Sequence, residues 1–88
     1  MENQEKEKNL PEIKFRAGAV SATVWNNTGQ MKDGQLNTFN TISLERSYKD
    51  KNQEWQSTNS MRINDLPKAS LVLSKAYEYL ILNHKQAE

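Results

Sequence analysis

The chain has 88 residues, no cysteine, a single histidine and a formal net charge of +1 at pH 7. A chain of this length forms one domain. The lack of thiols and of clustered imidazoles excludes a disulfide framework and makes a zinc site improbable. No apolar run approaches the roughly 20 residues of a membrane-spanning helix. We therefore expect a small domain without metal or membrane anchor, and the absence of cysteine suits a cytoplasmic protein.

Residues 1–12 are predicted to form a flexible tail. The segment contains four Glu and two Lys, and Met1 and Leu10 are its only bulky apolar residues. Such a composition offers too little apolar surface to offset the conformational entropy lost on ordering. We expect a single domain over residues 13–88.

The region 13–25 has the alternation of a β-strand, with a change of phase in its middle. Apolar residues fall on odd positions up to Phe15 and on even positions from Val20. Because a slip of one residue inverts every side chain of a strand, we predict a bulge or sharp bend at residues 17–19. The Asn-Asn-Thr-Gly segment at 26–29 is typical of a turn, and a polar loop follows it.

Two further strands are predicted, at 36–48 and 54–63, with a polar hairpin loop between them. In the first of these strands, Ile42 and Leu44 share one face with Arg46 and Tyr48. The other face has Phe39, Thr41, Ser43, Glu45 and Ser47. The sheet is expected to have about four antiparallel strands.

A helix over about 65–83 is the strongest local prediction. The Asn-Asp pair at 64–65 can cap free N–H groups, and Pro67 falls in the first turn, where its missing N–H costs nothing. Apolar residues recur at helical spacing from Leu66 to Leu80. The predicted fold is thus α+β, an antiparallel sheet of about four strands followed by one C-terminal amphipathic helix.

The apolar arc of this helix is wider than one sheet requires. At 100° per residue it covers roughly 200°, about twice the arc that packs on a single sheet. A small domain with a thin core gains from association with a second copy. We expect part of the arc to form a homodimer interface; the alternative is a monomer with an exposed apolar helix. The residues predicted for the interface are Leu66, Ala69, Val72, Leu73, Ala76 and Leu80.

The sequence offers little for catalysis. Without cysteine, and with His84 as the only histidine, the common nucleophile–base pairs are absent. The three glycines are scattered and form no phosphate-binding loop. We expect a binding protein rather than an enzyme, with no cofactor.

Aromatic and basic residues interleave along the predicted strands. Bases stack on exposed rings while Lys and Arg follow the phosphates, as in proteins that bind single strands. Trp25 shares its strand face with Ser21 and Thr23, a polar set untypical of a core. Each residue taken singly suits a core or a solvated surface as well; the combination favours single-stranded nucleic acid. The residues predicted to bind it are Arg16, Trp25, Arg46, Tyr48, Lys49, Lys51, Trp55 and Arg62.

The layout of the chain resembles the DNA-binding domain of the transcriptional positive cofactor four family. An alternating strand ends at Tyr48, a short polar hairpin leads to Trp55, and the Met-Arg-Ile-Asn-Asp-Leu-Pro segment at 61–67 opens an amphipathic helix. The similarity covers about residues 13–82. The Whirly and Pur-alpha folds share the plan of four strands and a helix.

The resemblance implies a coactivator-like homodimer, paired through its helices, whose strands hold unpaired DNA. Trp25 and Tyr48 match base-stacking aromatics of the family. The family has Lys and Arg just after the hairpin, where this chain has polar residues at 56–60 and then Arg62. We expect single-stranded DNA, or RNA, as partner, in transcription, replication or repair. The alternative, favoured by the near-neutral charge, is a protein–protein interaction module with no nucleic-acid role.

Overall fold

The computed structural model describes residues 8–83, and its architecture is α+β as predicted. Four strands follow one another across the sheet in chain order, each antiparallel to its neighbour. A short 3-10 turn at Ile63–Asp65 leads directly into the helix. The elements are β1 Lys8–Ala17, β2 Val20–Gln30, β3 Leu36–Lys49, β4 Trp55–Thr58 and α1 Leu66–Asn83.

A two-residue turn explains the change of phase in the first strand region. Ala17 pairs with Val20, so the two residues between them form the turn of a hairpin that joins β1 to β2. Gly18 in this turn has a φ of +65°, a left-handed conformation that glycine adopts at little cost. The predicted sharp bend at 17–19 is therefore a full reversal of the chain, and the alternative prediction, a bulge, is wrong. The odd apolar residues of β1 and the even ones of β2 lie on the same face, because the turn brings them opposite each other.

The register of β1 is irregular instead between Pro11 and Ile13, where Glu12 is the extra residue. The carboxylate of Glu12 accepts hydrogen bonds from Asn40 Nδ2 at 3.1 Å and from Tyr79 Oη at 2.5 Å. These bonds tie the beginning of the sheet to the helix.

β1 begins at Lys8, five residues before the predicted start of the domain. Pairing with β2 supplies the backbone hydrogen bonds that order this polar segment, and composition alone does not reveal such pairing. The rest of the predicted tail, residues 1–7, lies outside the described residues.

β2 and β3 form a long hairpin whose turn comes later than predicted. The segment 26–29 is not a turn, because it is paired along its length with residues 37–40. Asn27 Nδ2 donates to Thr41 Oγ1 at 2.9 Å, so this amide bonds across the strands rather than to its own backbone. The turn falls at residues 31–35.

β4 is shorter than the predicted strand 54–63 and pairs only with Arg46–Lys49 at the end of β3. Two backbone N–H groups of the connecting turn donate to Asp50 Oδ1 and hold the turn closed. After Thr58 the chain leaves the sheet. In the described part of the chain, the outer edge of β3 from residue 36 to 45 therefore has no neighbouring strand.

The core lies between α1 and the first two strands. Val20, Ala22 and Val24 of β2 are fully buried beneath the helix. Small and β-branched side chains on both elements let the helix approach the sheet closely. The helical residues buried against them are Ala69, Val72 and Ala76.

Helix α1 begins close to the predicted position, with Pro67 in its first turn. Asp65 Oδ2 accepts the backbone N–H of Arg62 at 2.8 Å and pairs with Arg46 Nε at 3.1 Å. The side chains of this ion pair are only 13% and 16% exposed. The pair therefore fixes the start of the helix to β3.

One side of α1, called here the apolar flank, is apolar and exposed. It consists of Leu66, Leu73, Tyr77 and Ile81, each between 39% and 66% exposed. Tyr79 lies on the other side of the buried helical residues and packs edge-on against Phe15 of β1, with 6.2 Å between the ring centroids. At 100° per residue, the apolar flank must then face the β3 side of the sheet.

Candidate nucleic-acid interface

The sheet face turned away from α1, called here the open face, is polar with three aromatic rings. Side chains alternate between the two faces of a sheet, so the strand register fixes which residues share the open face. They include Lys14, Arg16, Ser21, Thr23, Trp25, Asn27, Asn37, Phe39, Thr41, Ser43, Glu45, Ser47, Lys49, Trp55 and Ser57.

Trp25 lies near the middle of the open face, together with Ser21 and Thr23 as predicted. Its Nε1–H donates to Ser43 Oγ at 2.9 Å, and the indole is half-buried. Ser21 and Thr23 are only 4% and 6% exposed, because longer side chains of the adjacent strands flank them. The hydrogen bond to β3 therefore holds the indole in a defined orientation above a floor of small polar side chains.

A second aromatic group lies where β3 meets β4. Trp55 is 67% exposed, and Lys49 Nζ lies 5.4 Å from the centroid of its ring. A cation beside an exposed ring can contact a phosphate while the ring stacks on a base. Trp25 pairs with Thr41, eight residues before Lys49 on β3. The two aromatic groups are thus about 27 Å apart along the strand.

The charge of the open face is weakly positive. Its basic residues are Lys14, Arg16 and Lys49, against Glu45 as the acidic one. Lys51 is exposed in the turn between β3 and β4.

Lys14 and the half-exposed Phe39 were not among the predicted site residues. Both belong to the aromatic and basic residues that interleave along the predicted strands. Alternation indicates their face, since Lys14 is two positions from Arg16, and Phe39 two positions from Thr41, on the same strand.

The turn beside Lys49 also carries a fixed negative charge. The backbone N–H of Glu54 and the side-chain amide of Gln56 lower the pKa of Asp50 below its ordinary value. Gln56 Nε2 lies 3.0 Å from Asp50 Oδ2. Asp50 therefore stays ionised and offsets part of the positive charge of Lys49 and Lys51.

Arg46, Tyr48 and Arg62 lie on the helix side of the sheet. Arg46 is held by Asp65, and its guanidinium carbon lies 5.8 Å from the centroid of the Tyr48 ring. Together with Thr58 the three residues line an open hollow of about 300 Å³. Of the eight predicted nucleic-acid-binding residues, four thus lie on the open face, three on the helix side, and Lys51 in the turn between β3 and β4.

The structure also divides the predicted dimer residues. Ala69, Val72 and Ala76 are buried against the protein's own sheet, and Leu80 packs at the margin of this core. Leu66 and Leu73 belong to the exposed apolar flank. Helical periodicity gives the width of an apolar arc, but the sheet decides which part of the arc remains free.

Two structural features bear on partners. Within residues 8–83, no helix combines the length and the apolar character needed to cross a membrane. In the same part of the chain, no group of three or more His, Cys, Asp or Glu side chains is arranged to hold a metal ion.

No protein-family model, curated protein or solved structure matches this chain. The resemblance to the positive cofactor four family therefore stays a hypothesis. A four-stranded sheet with one helix does not define an activity, so a function has to be argued from the side chains of the open face.

Proposed function

We propose that this protein is a homodimer that binds single-stranded nucleic acid, single-stranded DNA first, with low sequence specificity. The observation that carries the proposal is the exposed Trp55 beside Lys49, on the same sheet face as Trp25. Aromatic faces accept any base, which is why such binding depends little on sequence. The proposed role is binding without catalysis.

An unpaired strand can lie along β3, between Trp25 and Trp55. Thr41, Ser43 and Ser47 on this path are short and polar, so they offer hydrogen bonds without blocking it. Glu45, the acidic residue of the open face, lies between Ser43 and Ser47 and opposes the binding of phosphates at that point. About three basic residues per protomer face this path. Neutralising Z phosphates of a single strand gives a slope of about −0.7Z for log K against log salt, so we expect a slope of about −2 per protomer.

The homodimer is supported by the apolar flank of α1. Four large, exposed apolar side chains in one row are typical of a protein–protein contact. Leu66 and Leu73, both predicted interface residues, belong to this row.

The second candidate is a protein-interaction module without a nucleic-acid role. The apolar flank and the 84% exposed Ile63 favour it, because both offer apolar surface outside the open face. This candidate predicts that oligonucleotides do not bind, whereas the first predicts that they bind and compete with one another regardless of sequence.

Trp55→Ala is the sharpest test of the first candidate. Loss of one stacking ring is worth about 1–3 kcal/mol, so the Kd for a labelled oligonucleotide should rise roughly five- to a hundredfold. The melting temperature should change little, because the indole is mostly exposed. Fluorescence anisotropy with DNA and RNA oligonucleotides of several sequences measures the Kd.

Two variants serve as controls. Trp55→Phe keeps a stacking ring and should retain most of the affinity. Lys75→Ala removes a basic residue that pairs with Glu78 on the helix, away from the open face, and should leave the affinity unchanged. A native protein that ignores both DNA and RNA at about 50 mM salt would reject the first candidate in favour of the second.

A further inference from the structure

The two outer edges of the sheet differ in how they are protected. The edge formed by β1 carries Pro11, the irregularity at Glu12, and the basic residues Lys14 and Arg16. Proline, bulges and charged side chains are the features that keep edge strands from pairing with other chains. The edge formed by β3 from residue 36 to 45 has no proline, no basic residue and a continuous register with β2.

The unprotected edge borders a space that a further strand would fill. β4 stops after four residues, and an open notch of about 690 Å³ follows between residues 42–45 and residues 57–59. Along an edge strand, the N–H and C=O groups of alternate residues point outward and are free to pair. Ten residues of extended chain offer about 33 Å of such backbone.

We propose that the β3 edge pairs antiparallel with the β3 edge of a second copy of this chain, about a two-fold axis perpendicular to the sheet. The two sheets then form one continuous sheet of eight strands. The inference rests on the homodimer of the proposed function and specifies its interface.

The edge segment is complementary to itself. A two-fold interface brings the same segment of both copies together, so the segment must be able to pair with itself in the antiparallel direction. In the register centred on Asn40, the helix side has one apolar pair, one threonine–isoleucine pair and the central pair of the two Asn40 residues. The open face has one polar pair and one aromatic–threonine pair, and no like charges meet. The pairs are Leu36 with Leu44, Asn37 with Ser43, Thr38 with Ile42, and Phe39 with Thr41. Glu45, the ionisable residue of the segment, lies outside the paired residues 36–44, next to the end of β4.

The same two-fold axis places the apolar flank of one copy opposite the apolar flank of the other. Because the axis is perpendicular to the sheet, both helices stay on one side of it, and their apolar flanks face each other across the seam. The floor between them contains Leu36, Ile42 and Leu44 of both copies, with Asn40 at the axis and Thr38 beside it. Leu36 and Ile42 are 62% and 42% exposed in a single copy. Edge pairing thus places exposed apolar side chains of sheet and helix around one shared trough.

Edge pairing also extends the open face. The open faces of the two copies become coplanar, with Phe39 of each copy close to the axis and Trp25 one strand further out. A single strand of nucleic acid can then cross from one copy to the other over a row of aromatic rings.

Disulfide formation between two different single-cysteine variants tests the register. The chain has no cysteine of its own, so an introduced one is unique. In the proposed register, residue 39 of one copy lies directly opposite residue 41 of the other, about 5 Å apart at Cα, within disulfide range. Residue 39 is roughly 8 Å from its own counterpart, beyond that range. Phe39→Cys and Thr41→Cys should therefore cross-link rapidly on mild oxidation when mixed, and slowly when each is alone.

Ile42→Lys tests the same contact without a covalent cross-link. It should raise the dimer dissociation constant at least tenfold by sedimentation velocity, whereas Leu71→Lys, on the exposed outer side of α1, should not. The edge pairing is overturned if the mixed variants show no preferential cross-link and the dimer survives Ile42→Lys. It is also overturned if the native protein is monomeric at micromolar concentration. Oligonucleotide affinity, measured separately, shows whether the proposed nucleic-acid function survives that result.

Discussion

The side chains of β2 are shielded from solvent on both faces of the sheet, but different groups cover them on each face. On the helix side, Val20, Ala22 and Val24 are fully buried under α1. On the open face, Ser21 and Thr23 are almost as buried, although no helix covers them. Their cover comes from longer side chains of β1 and β3 on either side.

This difference teaches that burial in the central strand does not by itself mark the hydrophobic core. The helix side removes apolar surface from water and so stabilises the fold, at roughly 25 cal/mol per Å². The open face buries hydroxyl groups, which contribute little net stability, and leaves rings and cations at the surface. The stability of the fold should therefore depend mainly on the helix side of the sheet, and ligand binding mainly on the open face.

The largest expected effect is the loss of folding on placing a charge under the helix. Val24→Asp puts an unpaired carboxylate in the core, at a cost on the order of 5 kcal/mol or more, comparable to the whole stability of a small domain. Far-UV circular dichroism should show no cooperative melting. The matched change Thr41→Asp, on the exposed open-face side of β3, should leave the protein folded; equal damage by both would contradict the separation of the faces.

An intermediate effect is expected for Trp25, which takes part in both packing and the open face. Trp25→Ala should cost about 2 kcal/mol, which lowers the melting temperature by roughly 8–16 °C, and should weaken oligonucleotide binding roughly five- to a hundredfold. Ser43→Ala removes only the hydrogen bond to the indole and should cost about 1 kcal/mol while keeping the ring. If folded Trp25→Ala binds as tightly as the native protein, the middle of the open face takes no part in binding.

The smallest expected effect is a change in the alkaline pH dependence of stability, set by a polar contact on the helix side. The hydrogen bond to the Glu12 carboxylate, then burial, raise the pKa of Tyr79 above its ordinary value of 10. The folded protein thus holds the phenolic proton more tightly than the unfolded chain does. This stabilisation is fully present below about pH 10 and is lost as the pH rises above it.

Tyr79→Phe removes that dependence. Between about pH 9 and pH 11, the melting temperature of the native protein should fall more steeply than that of Tyr79→Phe. Tyr77→Phe, which alters an exposed hydroxyl on the same helix, should follow the native profile. Parallel curves for native protein and Tyr79→Phe would show that the Glu12 contact does not contribute.

The candidate site was predicted in part. Alternation along the strands correctly grouped Trp25 with Ser21 and Thr23, and away from the core. The same alternation grouped Arg46 with Ile42 and Leu44, and the structure indeed places Arg46 on the helix side, paired with Asp65. Parity thus placed Arg46 correctly, while the nucleic-acid-binding role suggested by its basic character stays a prediction.

The sequence by itself determined the features that depend on neighbouring residues. Helical spacing and Pro67 located α1, because helical spacing reflects which side of a single element is buried. Period-two alternation likewise located the strand-forming regions, but not their ends or the turn within 13–25. The fold class followed from their order.

Only the tertiary structure decided the features that depend on pairing between distant segments. A bulge and a two-residue turn at residues 17–19 invert the alternation equally, and only the pairing of β1 with β2 distinguishes them. The polar residues at 26–29 suit a turn, yet Thr41 and its neighbours on β3 provide partners that keep them extended. The apolar arc of α1 was visible in the sequence, but the position of the helix over β1 and β2 determined which residues became core and which were left exposed.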